Sequence, residues 1–362
     1  MSKSQGYPEK KVSEDEAEKY LRPALQLKHY WYLYCLPFIK YFSLKKLANL
    51  LLNLYEYKTK RIYLKSVPWV IYIDPVNACI LHCPLCPTGR NDSRQEKATM
   101  KFTDFKKIID KIKPYPFFIY LYKWGEPFLN KEIFRMVDYC HQNKVGVLMH
   151  SNLNFYDEEI LKNIVSSKID YLSVSIDGFT QKNYSFYRRR GNIKKVKKAL
   201  EKIIYWRKKL KSPYPKIVWQ LLLNNRNIGE RKLAEDYAKK IGVDVFESRP
   251  LFLDMETKLR NDYKDYKKYL SRVCSYKEAS YSSNPHHCRY LWIGLTVNPR
   301  GYLAPCCAVY ADNDNFGNIF NGELKDIINS EIFTESRKLF TKRNYQPKRY
   351  TVCQSCQWYN KA

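Results

Sequence analysis

The sequence predicts an α/β fold: a parallel sheet with crossover helices, between a basic N-terminal segment and a small cysteine-bearing C-terminal piece. Two observations carry this. Between Pro68 and Ser248, short apolar runs alternate with helical spacings six times, the pattern of repeated β/α units. The cysteines concentrate in two places, Cys79–Cys86 just after the first apolar run and Cys288–Cys356 near the end. Six units fall short of the eight that close a full barrel.

Residues 1–20 are polar and charged, as expected of a frayed start. Leu21 to Ser66 is dense in aromatics and lysines. Within it Ser43 is placed to cap a helix whose Leu44, Leu47, Leu51 and Leu54 follow helical spacing, flanked by Lys45, Lys46, Lys58, Lys60 and Arg61. A basic amphipathic helix can lie on an anionic membrane, but the preferred expectation packs these leucines on the domain that follows. Strands are expected at Trp69–Asp74, Phe117–Lys123, Val145–Ser151, Asp170–Asp177, Lys216–Leu223 and Val243–Ser248. Helices are expected near Thr103–Ile112, Lys131–Asn143, Asp157–Ser166, Asn192–Lys211 and Glu230–Ile241. Charged, tyrosine-rich Phe252–Pro285 reads as a helical linker. The expected division is therefore 1–66, a basic aromatic helical segment; 67–250, the β/α core; 251–285, the linker; and 286–362, the cysteine domain.

Composition narrows the function classes. A hydrophobic fraction of 45% over 362 residues supplies a substantial core. The N-terminus lacks a signal-peptide pattern, and the longest nearly apolar stretch, Tyr30–Ile39, is about half a membrane span. Eleven cysteines in such a chain point to metal sites and free thiols instead of a disulfide framework. The expected location is the cytoplasm, with peripheral membrane contact as a variant. The net charge of +28 suits nucleic acid, an anionic surface or an acidic substrate. However, the basic residues run along the whole chain, among many Lys, Tyr, Ile and Asn, as in a compositionally biased genome.

The first cysteine set, Cys79-Ile-Leu-His-Cys83-Pro-Leu-Cys86, puts three thiols on a loop at the end of a strand, where they can converge on one soft metal centre. A closed [4Fe–4S] site takes four thiolates, so one iron would stay open to another ligand. This CxxxCxxC spacing and position resemble the radical S-adenosylmethionine (SAM) enzymes, which commonly fold as an open partial (β/α)6 barrel. The resemblance implies Cys79, Cys83 and Cys86 as cluster ligands and SAM on the open iron. It further implies reductive cleavage of SAM to methionine and a 5′-deoxyadenosyl radical. Leu85 would lie against the adenine. Trp124-Gly125-Glu126-Pro127 resembles the family's GGEP motif, with Trp124 in place of the first glycine. Gly125 would then admit the close approach of SAM, and Glu126 would help hold its ammonium. Ser151-Asn152 falls where relatives carry a polar pair near SAM. Ser173, Ser175 and Asp177 share one face of the fourth strand, and the resemblance turns Ser175 and Asp177 into the SAM pocket. Tyr184-Ser-Phe-Tyr187-Arg188-Arg-Arg-Gly191 resembles the family's YxxYRxxG stretch, with Arg188 as the partner of the SAM carboxylate. Gln220 on the fifth strand is placed to face the same cavity.

In the C-terminal piece Cys288 is followed by Cys306-Cys307 and by Cys353-Gln-Ser-Cys356. Four thiols in this pattern suit zinc as well as an iron–sulfur cluster. The order of features resembles the SPASM domain of many radical SAM enzymes, which implies one auxiliary [4Fe–4S] cluster on Cys288, Cys306, Cys353 and Cys356, with Cys307 the alternative to Cys306. The expected protein is thus an oxidoreductase or maturase that abstracts hydrogen from a small molecule, glycan, lipid or peptide. It would hold two [4Fe–4S] clusters and SAM, and would take electrons from a flavodoxin or ferredoxin. The rival expectation is a non-catalytic iron–sulfur or zinc protein binding nucleic acid through its basic surface.

Overall fold

The computed structural model describes residues 27–251, 288–342, 344–356 and 359. The first 26 residues and all but the first residue of the expected linker lie outside that set. A helical run opens the described chain: α1 (Leu27–Tyr30), a π-helical turn (Trp31–Cys35) and α2 (Leu36–Lys40), followed by α3 (Leu44–Lys58). The Ser43 side chain accepts from Lys46 N and starts α3.

The core then alternates strand and helix. Its strands are β1 (Val70–Ile73), β2 (Phe118–Tyr120), β3 (Gly146–Ser151), β4 (Tyr171–Ser175), β5 (Lys216–Leu223) and β6 (Val245–Pro250). Between them run α4 (Phe102–Ile112), α5 (Ile133–Gln142), α6 (Glu158–Ser166), α7 (Gln181–Tyr187), α8 (Ile193–Lys209) and α9 (Arg231–Ile241). Asp157, Thr180 and Asn192 cap α6, α7 and α8 with their side chains, which fixes where each helix leaves its strand. Every neighbouring pair from β1 to β6 is parallel. The six predicted strands are present, each within a few residues of expectation. The α7 helix, which ends within the YxxYRxxG stretch, was not anticipated.

Two further strands extend the sheet. After α10 (Tyr290–Ile293), β7 (Gly294–Val297) lies parallel to β1, and β8 (Leu303–Ala304) pairs antiparallel with β7. The sheet order is β6-β5-β4-β3-β2-β1-β7-β8, so the cysteine domain begins inside the same sheet as the core. The helices α11 (Leu324–Ile328) and α12 (Glu331–Leu339) complete it. Arg337 on α12 is fully buried and donates to the carbonyls of Leu291 and Ile62, tying the C-terminal domain to the N-terminal segment.

Apolar residues fill both faces. The main core includes Ile71, Ile119, Val147, Leu172 and Trp219 of the strands and continues through Ile108, Val137, Leu161 and Leu200 of the helices. A second cluster, Phe118, Tyr120, Leu148, Tyr171, Val218 and Val245, fills the other side of the sheet and is covered by Tyr32, Leu33, Phe38 and Leu50. The N-terminal segment thereby closes the barrel at the end where its strands begin. It does so by the face opposite to the one expected. On α3 the buried residues are Lys46, Asn49, Asn53 and Glu56, while Leu44, Leu51 and Leu54 are exposed. The polar face wins because the strand ends it meets offer unpaired backbone groups: Asn49 bonds both N and O of Val67, Asn53 donates to Trp292 O, and Glu56 accepts from Lys65 N and Ser66 N.

Candidate active site

The loop after β1 carries Cys79, Cys83 and Cys86 across the carboxyl ends of the strands, where ligands bind in parallel β/α architectures. It is held from all sides. Asn77 accepts from Ala98 N and donates to Gln95 and Glu96 O. Asn130 donates to the carbonyls of Pro75 and Met100. Gly89 stands so close that a Cβ there would sit 2.6 Å from Cys83 O. The three cysteines share a small apolar cluster with Leu81, Leu85, Tyr187 and Leu251, so Leu85 lies buried beside them.

Gly125 closes this loop from the β2 side. A Cβ on it would lie 1.6 Å from Val76 O and 3.0 Å from Ala78 O. The close approach seen at Gly125 is to the backbone entering the cysteine loop. Glu126 N donates to Ala78 O, and Pro127 begins a 3-10 turn that carries the chain away. The buried Glu126 carboxylate accepts from Ser151 Oγ at 2.7 Å and Asn152 N at 2.8 Å. Burial pushes its pKa up to about 7, against those hydrogen bonds. Asn152 in turn reaches Cys79 Sγ, with Nδ2 at 3.5 Å. The acidic residue of one motif and the polar pair of the other thus form one unit on the cysteine loop.

Arg188 completes the ring. Its Nε donates to Asp177 Oδ2 at 2.5 Å and its Nη1 lies 3.8 Å from Cys83 Sγ. The other Asp177 oxygen accepts from Leu222 N at 2.7 Å. Asp177, fully buried with both oxygens engaged, aims Arg188 toward the cysteines. Ser175 is buried at the end of β4, and its register partner on β5 is Gln220, also buried. Sequence reasoning passed over Asp74, which follows β1, is fully buried, and accepts from Trp124 N. Burial raises its pKa to about 7. The signal was present, since an acid closing an apolar run is costly without a task.

The donor chemistry fits an iron–sulfur group. Burial pushes the pKa of Cys79 and Cys86 up to about 12, with neighbouring thiols and, for Cys79, Glu126 adding to the rise. Thiolates in this pocket therefore want a cationic centre between them. In the C-terminal set, Cys353 feels Cys288, Cys306 and Cys356 as near charges, and Cys288 feels Cys306 and Cys356. Cys307 has Cys306, Lys123 and Tyr72 as its near neighbours. Of the adjacent pair, Cys306 is the one that both Cys288 and Cys353 feel. Among the described residues, no three His, Cys, Asp or Glu side chains are placed to hold a single metal ion.

Residues 73–208 match the radical SAM superfamily, and residues 288–357 match SPASM, an iron–sulfur cluster-binding domain. This chain belongs to the radical SAM superfamily and carries a SPASM domain. The radical SAM core binds a [4Fe–4S] cluster and SAM, and the SPASM domain is an auxiliary iron–sulfur domain. The fold is similar to that of Streptococcus suis SuiB bound to S-adenosylmethionine, with a TM-score of 0.59 at 16% identity over 86% of this chain and 75% of that one. It also resembles anSMEcpe with bound AdoMet, with a TM-score of 0.52 at 16% identity over 80% and 87% of the two chains. Among curated proteins, Fe-coproporphyrin III synthase of Methanosarcina barkeri is 23% identical over 122 residues, 34% of this chain and 30% of that one. The match thus spans less than a third of that relative's length.

Proposed function

We propose that this radical SAM protein abstracts a hydrogen atom from a substrate held inside the partial barrel, with the SPASM cluster assisting electron transfer. The observation that carries this is the convergence of Cys79, Cys83 and Cys86 with Glu126, Ser151, Asn152 and Arg188 at the carboxyl ends of the strands. A nucleic-acid binder has no use for that ring. Cys79, Cys83 and Cys86 would hold the first cluster, and Cys288, Cys306, Cys353 and Cys356 the second. When bound, the first cluster and SAM supply reductive cleavage to a 5′-deoxyadenosyl radical.

The chain's own residues bind, orient and exclude water. Glu126 and Arg188 present opposite charges to a zwitterionic amino acid end, Glu126 toward an ammonium and Arg188 toward a carboxylate. Gly125, Leu85 and Pro127 shape the wall. The substrate would lie among Tyr72, Tyr122 and His150, between the two cysteine sets. Tyr122 stacks on His150 with ring centroids 4.1 Å apart, and Tyr72 lies near Cys307. Electrons would come from a ferredoxin- or flavodoxin-type donor. The solved relatives include SuiB bound to the precursor peptide SuiA and anSMEcpe with a bound peptide. Peptides therefore stay beside small molecules, glycans and lipids among the substrate classes to be screened.

Titration calorimetry on the reconstituted protein tests the pocket. Glu126→Ala and Arg188→Ala should each retain iron and weaken SAM binding. Loss of one charge-assisted hydrogen bond, about 1.5–3 kcal/mol, corresponds to roughly ten- to a hundred-fold. Wild-type SAM affinity in both variants would reject this placement.

A further inference from the structure

The helix α3 is inside out. Its buried side is polar: Lys46, Asn49, Asn53 and Glu56 recur every three or four residues, and each is bonded to the barrel end or its approach, Lys46 through Lys144 O. Its outer side is apolar. Leu44, Leu51 and Tyr55 fall on one stripe at helical spacing and are 77%, 58% and 52% exposed. In the segment leading into α3, Trp31, Ile39 and Phe42 are exposed as well. Core packing cannot account for this stripe, because the face that packs is the other one.

Charge identifies the occupant. Lys45 and Lys58 are exposed on α3, and Arg61 and Lys65 are exposed just beyond it. Between residues 27 and 66 the only acid is Glu56, which is buried and bonded to Ser66. Outward, then, this part of the molecule offers leucines, aromatics and positive charge without a carboxylate. Apolar and aromatic residues beside lysines, on a helix lying flat against its own domain, match the requirements of an interfacial helix on anionic lipid. A second copy is a poor partner, since each chain carries a net charge of +28 and would bring the same lysines to the contact. We propose that the outer face of α3 docks this protein on an anionic membrane surface. Because α3 covers the end where the strands begin, docking there leaves the cysteine loops at the opposite end of the barrel unobstructed. No helix among the described residues is long and apolar enough to cross a membrane, so contact through this face would be peripheral.

Co-sedimentation of the full chain with vesicles tests this. Phosphatidylglycerol–phosphatidylcholine vesicles should bind the protein, pure phosphatidylcholine should bind it far less, and added NaCl should release it. Leu51→Glu and Leu44→Glu should each weaken binding by roughly tenfold or more with unmoved thermal midpoints, since both side chains lie outside the core. Leu210→Glu, at an exposed leucine on another part of the surface, should bind like wild type. Equal sedimentation with both vesicle types, or wild-type binding by both α3 variants, would overturn the proposal. So would a dimer in analytical ultracentrifugation that Leu51→Glu abolishes while the wild type ignores anionic vesicles, since the face would then belong to a second copy.

Discussion

At Gly125 a single hydrogen decides whether the cysteine loop can close, since a methyl group there would overlap Val76 O at 1.6 Å. Both partners are backbone, so neither can swing aside. Gly125→Ala should cost about 1–3 kcal/mol of stability, the usual range for overpacking, and should lower the iron retained after reconstitution. An unshifted thermal midpoint with full iron content would refute the close approach. The sequence made Gly125, Glu126, Ser151, Asn152, Asp177 and Arg188 readable because each sits in a short motif. It did not show that Glu126 is bonded to Ser151 and Asn152, or that Asp177 is spent on Arg188 and Leu222 N. Gly89 and Asn77 went unread for the same reason: Cys83 O, Ala98 N, Glu96 O and the Gln95 side chain come near them only in the folded chain.

At the scale of elements, periodicity located α3 but misassigned its inner face. The hydrophobic stripe was taken for the buried one, and the local sequence contains nothing about the unpaired groups at Val67, Trp292 and Lys144 that recruit the polar side. Likewise Leu291–Val297 is an apolar run, but pairing β7 with β1 joins residues more than 200 positions apart. The attachment of the N-terminal segment to the barrel centres on Asp170, just before β4. Its buried carboxylate accepts from Lys40 Nζ at 2.7 Å, Tyr41 Oη at 2.8 Å and Val147 N at 2.9 Å, and it meets His141 Nε2 at 3.0 Å. Burial alone would raise its pKa, but His141 and Lys40 outweigh that and hold it below the usual carboxylate range. The stabilisation from this depressed value is therefore complete above the unfolded pKa of about 3.9 and disappears as pH falls toward the lower folded value. Asp170→Ala leaves the buried Tyr41 hydroxyl and the Val147 N–H without their acceptor, and Lys40 and His141 without their counter-charge, and should cost about 1–3 kcal/mol at neutral pH. Thermal midpoints of wild type and variant should converge as the pH drops below about 4; a gap that stays constant down to acid pH would show that Asp170 acts by packing alone.

Across the whole molecule the two cysteine sets are embedded differently, and this predicts unequal consequences of losing them. Cys79, Cys83 and Cys86 lie in a small cluster with Leu81, Leu85, Tyr187 and Leu251, apart from the main core. Cys353 belongs to the main core, and Cys288, Cys306 and Cys356 pack against it. That core is continuous with β7, β1 and the α12 helix, whose buried Arg337 grips Leu291 and Ile62. A cluster at the first set would thus be a fitting carried by an already folded barrel, whereas one at the second would be a staple within the core. Two [4Fe–4S] clusters amount to about eight irons per chain. The Cys79→Ala, Cys83→Ala, Cys86→Ala triple variant should keep about half of that iron, lose SAM cleavage and unfold close to the wild-type temperature. Cys353→Ala with Cys356→Ala should also lose about half of the iron, but with a clear drop in midpoint, since structural metal binding contributes directly to folding. Iron analysis and calorimetric unfolding of the two variants side by side separate the cases. A triple variant that unfolds earlier than the double one, or that loses all of its iron, would place the structural weight on the barrel loop instead.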